Sequence, residues 1–373
     1  AQAFVDHGQR PLKVRARTVH LVDKTNARNT APARSSAVGL APNGFRLRLN
    51  AGHAVKNHDA AVQNAQGTLD LGRKVNVPRR VNDVDLILLA SVVLMVIALF
   101  FGVEVKGSRR WVELGPVGFQ ASEVARPLLL IYVASYAVRH HQALCTSMAG
   151  FIRPMALIGL AAVLLICEPD YGATVLLLAA SLGVLFIAGA RFRDLIAVGL
   201  LAALPIGALI AMDPTRLDRL FSWLNPWSDP YGSGYQLIQS WIAIVSGTWQ
   251  GAGLGQGFQK LLYLPDAHTD FVFAVLTEEL GLVGGSCVIA LFALLVWRAF
   301  AIGREASAKG LAFHSILATG FGIMLGMQAA ISIGVNTGLL PTKGLTLPLI
   351  SYGRTSLIMT LFVLGLLLRI SRE

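Results

Sequence analysis

Eight apolar runs constrain this chain more than any other feature. They are Asp85 to Val103, Val124 to Val138 (extending back through Phe119), Pro154 to Cys167, Gly172 to Ala190, Leu195 to Met212, Phe271 to Trp297, Leu311 to Val335 and Leu345 to Leu368. About 20 apolar residues cross the hydrocarbon core of a bilayer. Lipid offers no partner to backbone N–H and C=O groups, so each run is predicted to be a helix. A chain that is 54% hydrophobic and 14% charged, with a mean hydropathy of +0.59, fits a membrane protein and not a soluble domain. The expected fold class is all-α: a polytopic integral membrane protein of about eight transmembrane helices, with a large extracytoplasmic loop over 213–270. Cys145, Cys167 and Cys287 make no even set, so neither disulfides nor a cysteine-bound metal is expected.

Charge divides the chain and orients it. Residues 1–83 carry 14 Lys and Arg against 5 Asp, most of the net +11, and hold no spanning run. They are expected to be a basic polar segment, disordered or non-native, ahead of a membrane domain over 84–373. No nucleic-acid-binding pattern accompanies them. With the first helix starting inside, Arg139, Arg153, Arg191, Arg193, Arg298, Arg304, Lys309, Arg369 and Arg372 all fall on inner connections. That is the positive-inside arrangement. The outer face then holds residues 104–121, the turn Glu168-Pro169-Asp170-Tyr171-Gly172, the loop 213–270 and residues 336–343.

The outer face gathers the chemistry. Asp270 stands where a polar loop enters a membrane helix, and it reads either as a general base or as a helix N-cap beside Thr269. His268 with Asp266 and Asp270 is a weak three-ligand pattern, and its hard oxygens favour Mg or Mn. Arg110 and Trp111 read as an interfacial belt or as ligand contacts. Ser122 and Glu123 read as a capping pair or as site residues. Lys343 sits at a Gly- and Pro-broken helix, either snorkelling or lining a cavity. Glu278 or Glu279 is a candidate partner for Lys343 or an arginine. Thr215 to Trp227 has the look of an amphipathic interfacial helix. The five glycines between Gly247 and Gly257 lack a following G-K-[ST], so they are read as places where backbones pass closely.

Several stretches are similar to the SEDS family of cell-wall proteins (FtsW, RodA, SpoVE). They are RRWVELGPVGFQASEVAR, EPDYGATV, GSGYQLIQS, GLGQGFQKLLYLPDAHTDFVFAVLTEELGLVGG and NTGLLPTKGLTLPLISYG, in family order over about residues 85–373. PTKGLTLP resembles the division branch, FtsW, more than the elongation branch, RodA. The resemblance implies a peptidoglycan glycosyltransferase that polymerises lipid II on the outer face of the bacterial cytoplasmic membrane, at the division septum. It implies a class B penicillin-binding transpeptidase of the FtsI type and divisome proteins as partners. It places the essential acid on Asp270, with Arg110, Trp111, Ser122, Glu123, His268, Thr269 and Lys343 as substrate contacts and a divalent cation as possible help. The alternatives are a lipid II flippase and a non-catalytic scaffold for the transpeptidase.

Three departures from the family pattern stand out. Ala121 replaces a proline, with a mild effect expected. Arg354 replaces a glycine of S-Y-G-G-S, with either a clash or a new phosphate contact expected. Family members have about ten helices, and residues 1–83 stand where the first two are expected.

Overall fold

The computed structural model describes residues 37–40, 46–48, 81–105, 108–114 and 117–373. The chain divides into two units, Ala1–Gly72 and Arg73–Glu373. In the first, β1 (Ala37–Leu40) pairs antiparallel with β2 (Arg46–Arg48). The remainder of the basic segment up to residue 80 lies outside the described residues.

In the second unit every apolar run contains a helix. They are α1 (Val81–Phe101), α2 (Ala121–Arg139), the short α3 (His141–Thr146), α4 (Met148–Cys167), α5 (Tyr171–Ile187) and α6 (Phe192–Ala211). Then come α7 (Pro214–Leu224), α8 (Tyr235–Ser246), α9 (Val272–Ala308), α10 (Ala312–Thr337) and α11 (Arg354–Ile370). Among the described residues, α1, α2, α4, α9 and α10 are long and apolar enough to cross a membrane, and α5 is a shorter apolar helix. This is a helical polytopic membrane protein. Leu129, Phe151, Ile158, Leu177 and Phe321 are fully or almost fully buried at its centre. Leu86, Phe101, Leu200, Leu204 and Leu291 are exposed on its flanks, which is stable only against lipid tails.

Contacts between helix ends agree with the alternating orientation. At the inner end Arg139 meets Asp85 at 3.7 Å, Arg191 Nε donates to the Cys145 carbonyl at 2.9 Å, and His314 meets Glu373 at 3.0 Å. At the opposite end the predicted outer connections touch one another, as described below.

Three features differ from the expected elements. The first outer connection is a three-stranded antiparallel sheet and not a loop: β3 (Val103–Val105), β4 (Ser108–Leu114) and β5 (Val117–Gln120). Helix α9 does not end near Arg298 but runs to Ala308, and it is broken at Gly281, whose φ of 71° and ψ of −172° are open to glycine alone. The loop before it repairs the break. Leu282 and Val283 donate N–H to the carbonyls of Thr248 and Trp249, while Ala252 and Gly253 donate to Glu278 and Glu279. A Cβ on Gly251 would lie 2.1 Å from the Glu279 carbonyl, so the glycine-rich stretch does serve close backbone passage. Finally, α11 begins at Arg354 and not near Leu345, because Pro341, Gly344 and Pro348 keep residues 338–353 irregular.

Candidate active site

The loop carrying Asp270 is clamped from two sides. Asp266 takes φ +55°, and its carbonyl collects the N–H groups of Thr269, Asp270 and Phe271. Asn336, fully buried near the end of α10, donates Nδ2 to the Asp270 carbonyl at 2.9 Å and accepts from Ala274 N–H at 3.0 Å. From the 338–353 segment, Ser351 Oγ donates to the Thr269 carbonyl at 2.6 Å, and Tyr352 N–H donates to the His268 carbonyl at 2.9 Å. The exposed His268 ring meets the Tyr352 ring edge-on at 5.9 Å. Phe271 precedes α9 with no side-chain cap, so Asp270 is not the N-cap. Its half-buried carboxylate instead lies over Gly344, where a Cβ would sit 2.8 Å from Oδ2. Asp270 thus stands beside Lys343 in space, 73 residues earlier in sequence.

A second acid gathers polar partners at the start of α5. Asp170, 4% exposed, caps α5 by accepting from Ala173 N–H at 3.1 Å. It also accepts from Gln120 Nε2 and Ser122 Oγ, each at 3.1 Å, and lies 3.9 Å from Arg110 Nη1. Ser122 is therefore a partner of Asp170 and not the cap of α2, whose N-cap position is Gln120. Lys343 leans inward over the Tyr171 ring at 4.9 Å, so it does not snorkel. Burial pulls its ammonium down to about 8; Asp170 pushes it back up, while Arg219, Arg216 and Arg110 pull it further down. Glu168 is fully buried beside this centre, and neither of its oxygens has a hydrogen-bond partner among the described residues. Burial and Asp170 push its carboxyl up to about 8, against the pull of Arg110.

The other predicted residues scatter. Trp111 lies on the face of β4 opposite Arg110, because strand side chains alternate. Glu123 turns into a membrane-level cleft, paired with the buried Arg126; Gln328 and Thr360 also line that cleft. Glu279 pairs with Lys260 at 2.5 Å, and Glu278 accepts from the N–H groups of Phe258 and Gln259, so neither serves Lys343. Arg354 is exposed in the first turn of α11, after a Gly353 with extended backbone. Ala121 is fully buried at the start of α2. Among the described residues no three His, Cys, Asp or Glu side chains converge as metal ligands, so the weak pattern of Asp266, His268 and Asp270 does not close into a three-ligand site.

The family described as cell cycle protein FtsW/RodA/SpoVE matches residues 75–373. The chain belongs to this family. It is 52% identical over 273 residues to a relative from Thioalkalivibrio sulfidiphilus, covering 73% of this chain and 68% of that one. It is 48% identical over 288 residues to one from Legionella pneumophila, covering 77% and 73%. Both relatives bear the name probable peptidoglycan glycosyltransferase FtsW. Among solved structures, it is similar to a peptidoglycan synthase complex that coordinates polymerization and crosslinking (TM-score 0.63, 32% identity, covering 83% of this chain and 88% of that). It is also similar to the rod shape determining protein RodA of Thermus thermophilus (TM-score 0.56, 29% identity, covering 83% and 86%). Within the FtsW/RodA/SpoVE frame, sequence reading missed Asp170, Glu168 and Asn336. It also missed Arg216 and Arg219 on α7, although arginines on the outer side run against the positive-inside pattern.

Proposed function

We propose that this protein is a peptidoglycan glycosyltransferase that polymerises lipid II into glycan strands, with Asp270 as general base. The observation that carries this reading is the Asp270 carboxylate held over Gly344, the residue after Lys343, whose ammonium feels both Asp170 and Arg110. In this reading Asp270 takes the proton from the 4-hydroxyl of the acceptor sugar as that oxygen attacks C1 of the donor sugar. The C1–oxygen bond to undecaprenyl pyrophosphate breaks, and the leaving anion meets Lys343 and Arg110. Lipid tails hold both substrates in the membrane, so the reaction becomes a positioned encounter. A divalent cation, Mg or Mn, is the further expected partner of the leaving pyrophosphate. Omitting and restoring the cation in a polymerisation assay tests this.

The partner in this reading is a class B penicillin-binding transpeptidase of the FtsI type, within the divisome at the septum of the cytoplasmic membrane. The likeness to a polymerising and crosslinking complex supports it. Purified protein supplied with lipid II and its transpeptidase should make long glycan strands. Lipid II that crosses vesicles without forming strands would favour a flippase, and neither result would favour a scaffold.

A further inference from the structure

Helix α7 brings two cations to the site that none of the motifs singled out. The Arg216 guanidinium lies 4.3 Å from the centroid of the Tyr171 ring, the same ring that carries Lys343 at 4.9 Å. Arg216 is steadied by Asp213 at 2.9 Å. Arg219 follows one turn later on the same face. Arg110 from β4 and Arg216 and Arg219 from α7 all act electrostatically on the Lys343 ammonium, so three cations from two elements converge on a fourth. The acids facing it are already engaged. Asp170 accepts from Gln120, Ser122 and Ala173, and Asp270 lies across Gly344. Glu168 is buried behind Asp170. Gathering like charges in this way costs stability unless an anion enters between them.

The placement of α7 says which anion. Trp223 Nε1 donates to the Gly338 carbonyl at 2.8 Å, which ties α7 to the start of the segment bearing Lys343. On its other side Phe221 is 60% and Leu224 67% exposed. An amphipathic helix of this kind lies in the interface with its apolar face among acyl chains, at headgroup depth. Arginine forks match phosphate oxygens.

We propose that α7 is the second jaw of an anion clamp, in which Arg216 and Arg219 hold the pyrophosphate of a polyisoprenyl-linked substrate against Lys343 and Arg110. This rests on the glycosyltransferase reading and adds the α7 residues to it. A bound dianion returns Lys343 toward its ordinary range, so binding near pH 8 takes up a proton.

The test is calorimetric titration of the full chain in nanodiscs with farnesyl pyrophosphate, farnesol and inorganic pyrophosphate, in buffers of different ionisation enthalpy. Farnesyl pyrophosphate should bind at least about tenfold tighter than either control. Arg216→Gln and Arg219→Gln should each weaken it about tenfold, in line with loss of one charge-assisted contact. Arg219→Lys should fall between, and guards against a glutamine variant that does not fold. Proton uptake should appear at pH 8, vanish at pH 6.5, and vanish in Lys343→Arg. Unchanged binding in folded α7 variants overturns the clamp, and equal affinity for inorganic pyrophosphate overturns its lipid assignment. If the clamp binds as expected but lipid II yields no strands, the glycosyltransferase reading fails and the clamp stands. If strands form while α7 variants bind normally, the clamp alone fails.

Discussion

The two ends of one helical bundle hold charge differently: exposed pairs prevail at the inner end, where Asp194 is a buried exception, and buried groups gather at the outer end. At the inner end, Arg369 meets Glu373 and Arg298 meets Glu305 with side chains half or more exposed on at least one partner. Such pairs contribute little and mainly set orientation. At the outer end, Asp170 and Glu168 are buried, Lys343 is drawn inward, and Arg110 Nε and both Glu168 oxygens are unpartnered among the described residues. Buried charges at a membrane boundary are costly, and a fold that keeps them does so for chemistry. The comparison also separates two kinds of acid. Glu278 and Glu279 brace the loop against the broken α9, whereas the Asp270 carboxylate lies over Gly344, the residue after Lys343.

The contrast can be tested from its strongest side downward. Lys343→Met should lower kcat/KM by about a hundredfold, the scale of removing one group that meets developing charge. In the wild type, kcat/KM should fall above about pH 8 as free Lys343 loses its proton. Lys343→Arg should move that limb out of range; a limb that stays would assign it to another group. Gly281→Ala should destabilise by about 1–3 kcal/mol, read as a lower melting temperature, because alanine does not accept the break in α9. Glu168 tests the buried wall through pH. Its folded-state value of about 8 lies above the ordinary 4.5, so the folded protein holds a proton that the unfolded chain releases. Stability should therefore fall as pH rises from about 4.5 to about 8, and Glu168→Gln should flatten that slope. Arg369→Ala, at the inner end, should change stability by less than about 0.5 kcal/mol.

The membrane helices were legible because lipid leaves apolar runs one conformation. The outer position of the site was legible too, since loop arginines and acids on that side break the charge pattern. What escaped depended on partners distant in sequence. Asp170 becomes a centre only when Gln120, Ser122 and Arg110 arrive from the sheet and α2. The break at Gly281 hides inside an apolar run, and its repair by residues 248–253 has no local signal. Arg216 and Arg219 read as the polar face of an interfacial helix, and only Tyr171 beneath Arg216 and Lys343 beside the pair make them part of a site. Trp111 and Arg110 are neighbours in β4, so their side chains point to opposite faces, a separation that their adjacency in sequence hides.

The most direct measurement is lipid II polymerisation by the purified protein with its cognate transpeptidase, comparing wild type with Asp270→Asn. The variant keeps the loop's backbone clamps to Asn336 and Ser351. Long strands from the wild type, and a rate lower by about 10²–10⁴ from a folded variant, are the predicted result. Strands at the wild-type rate from folded Asp270→Asn would contradict the account.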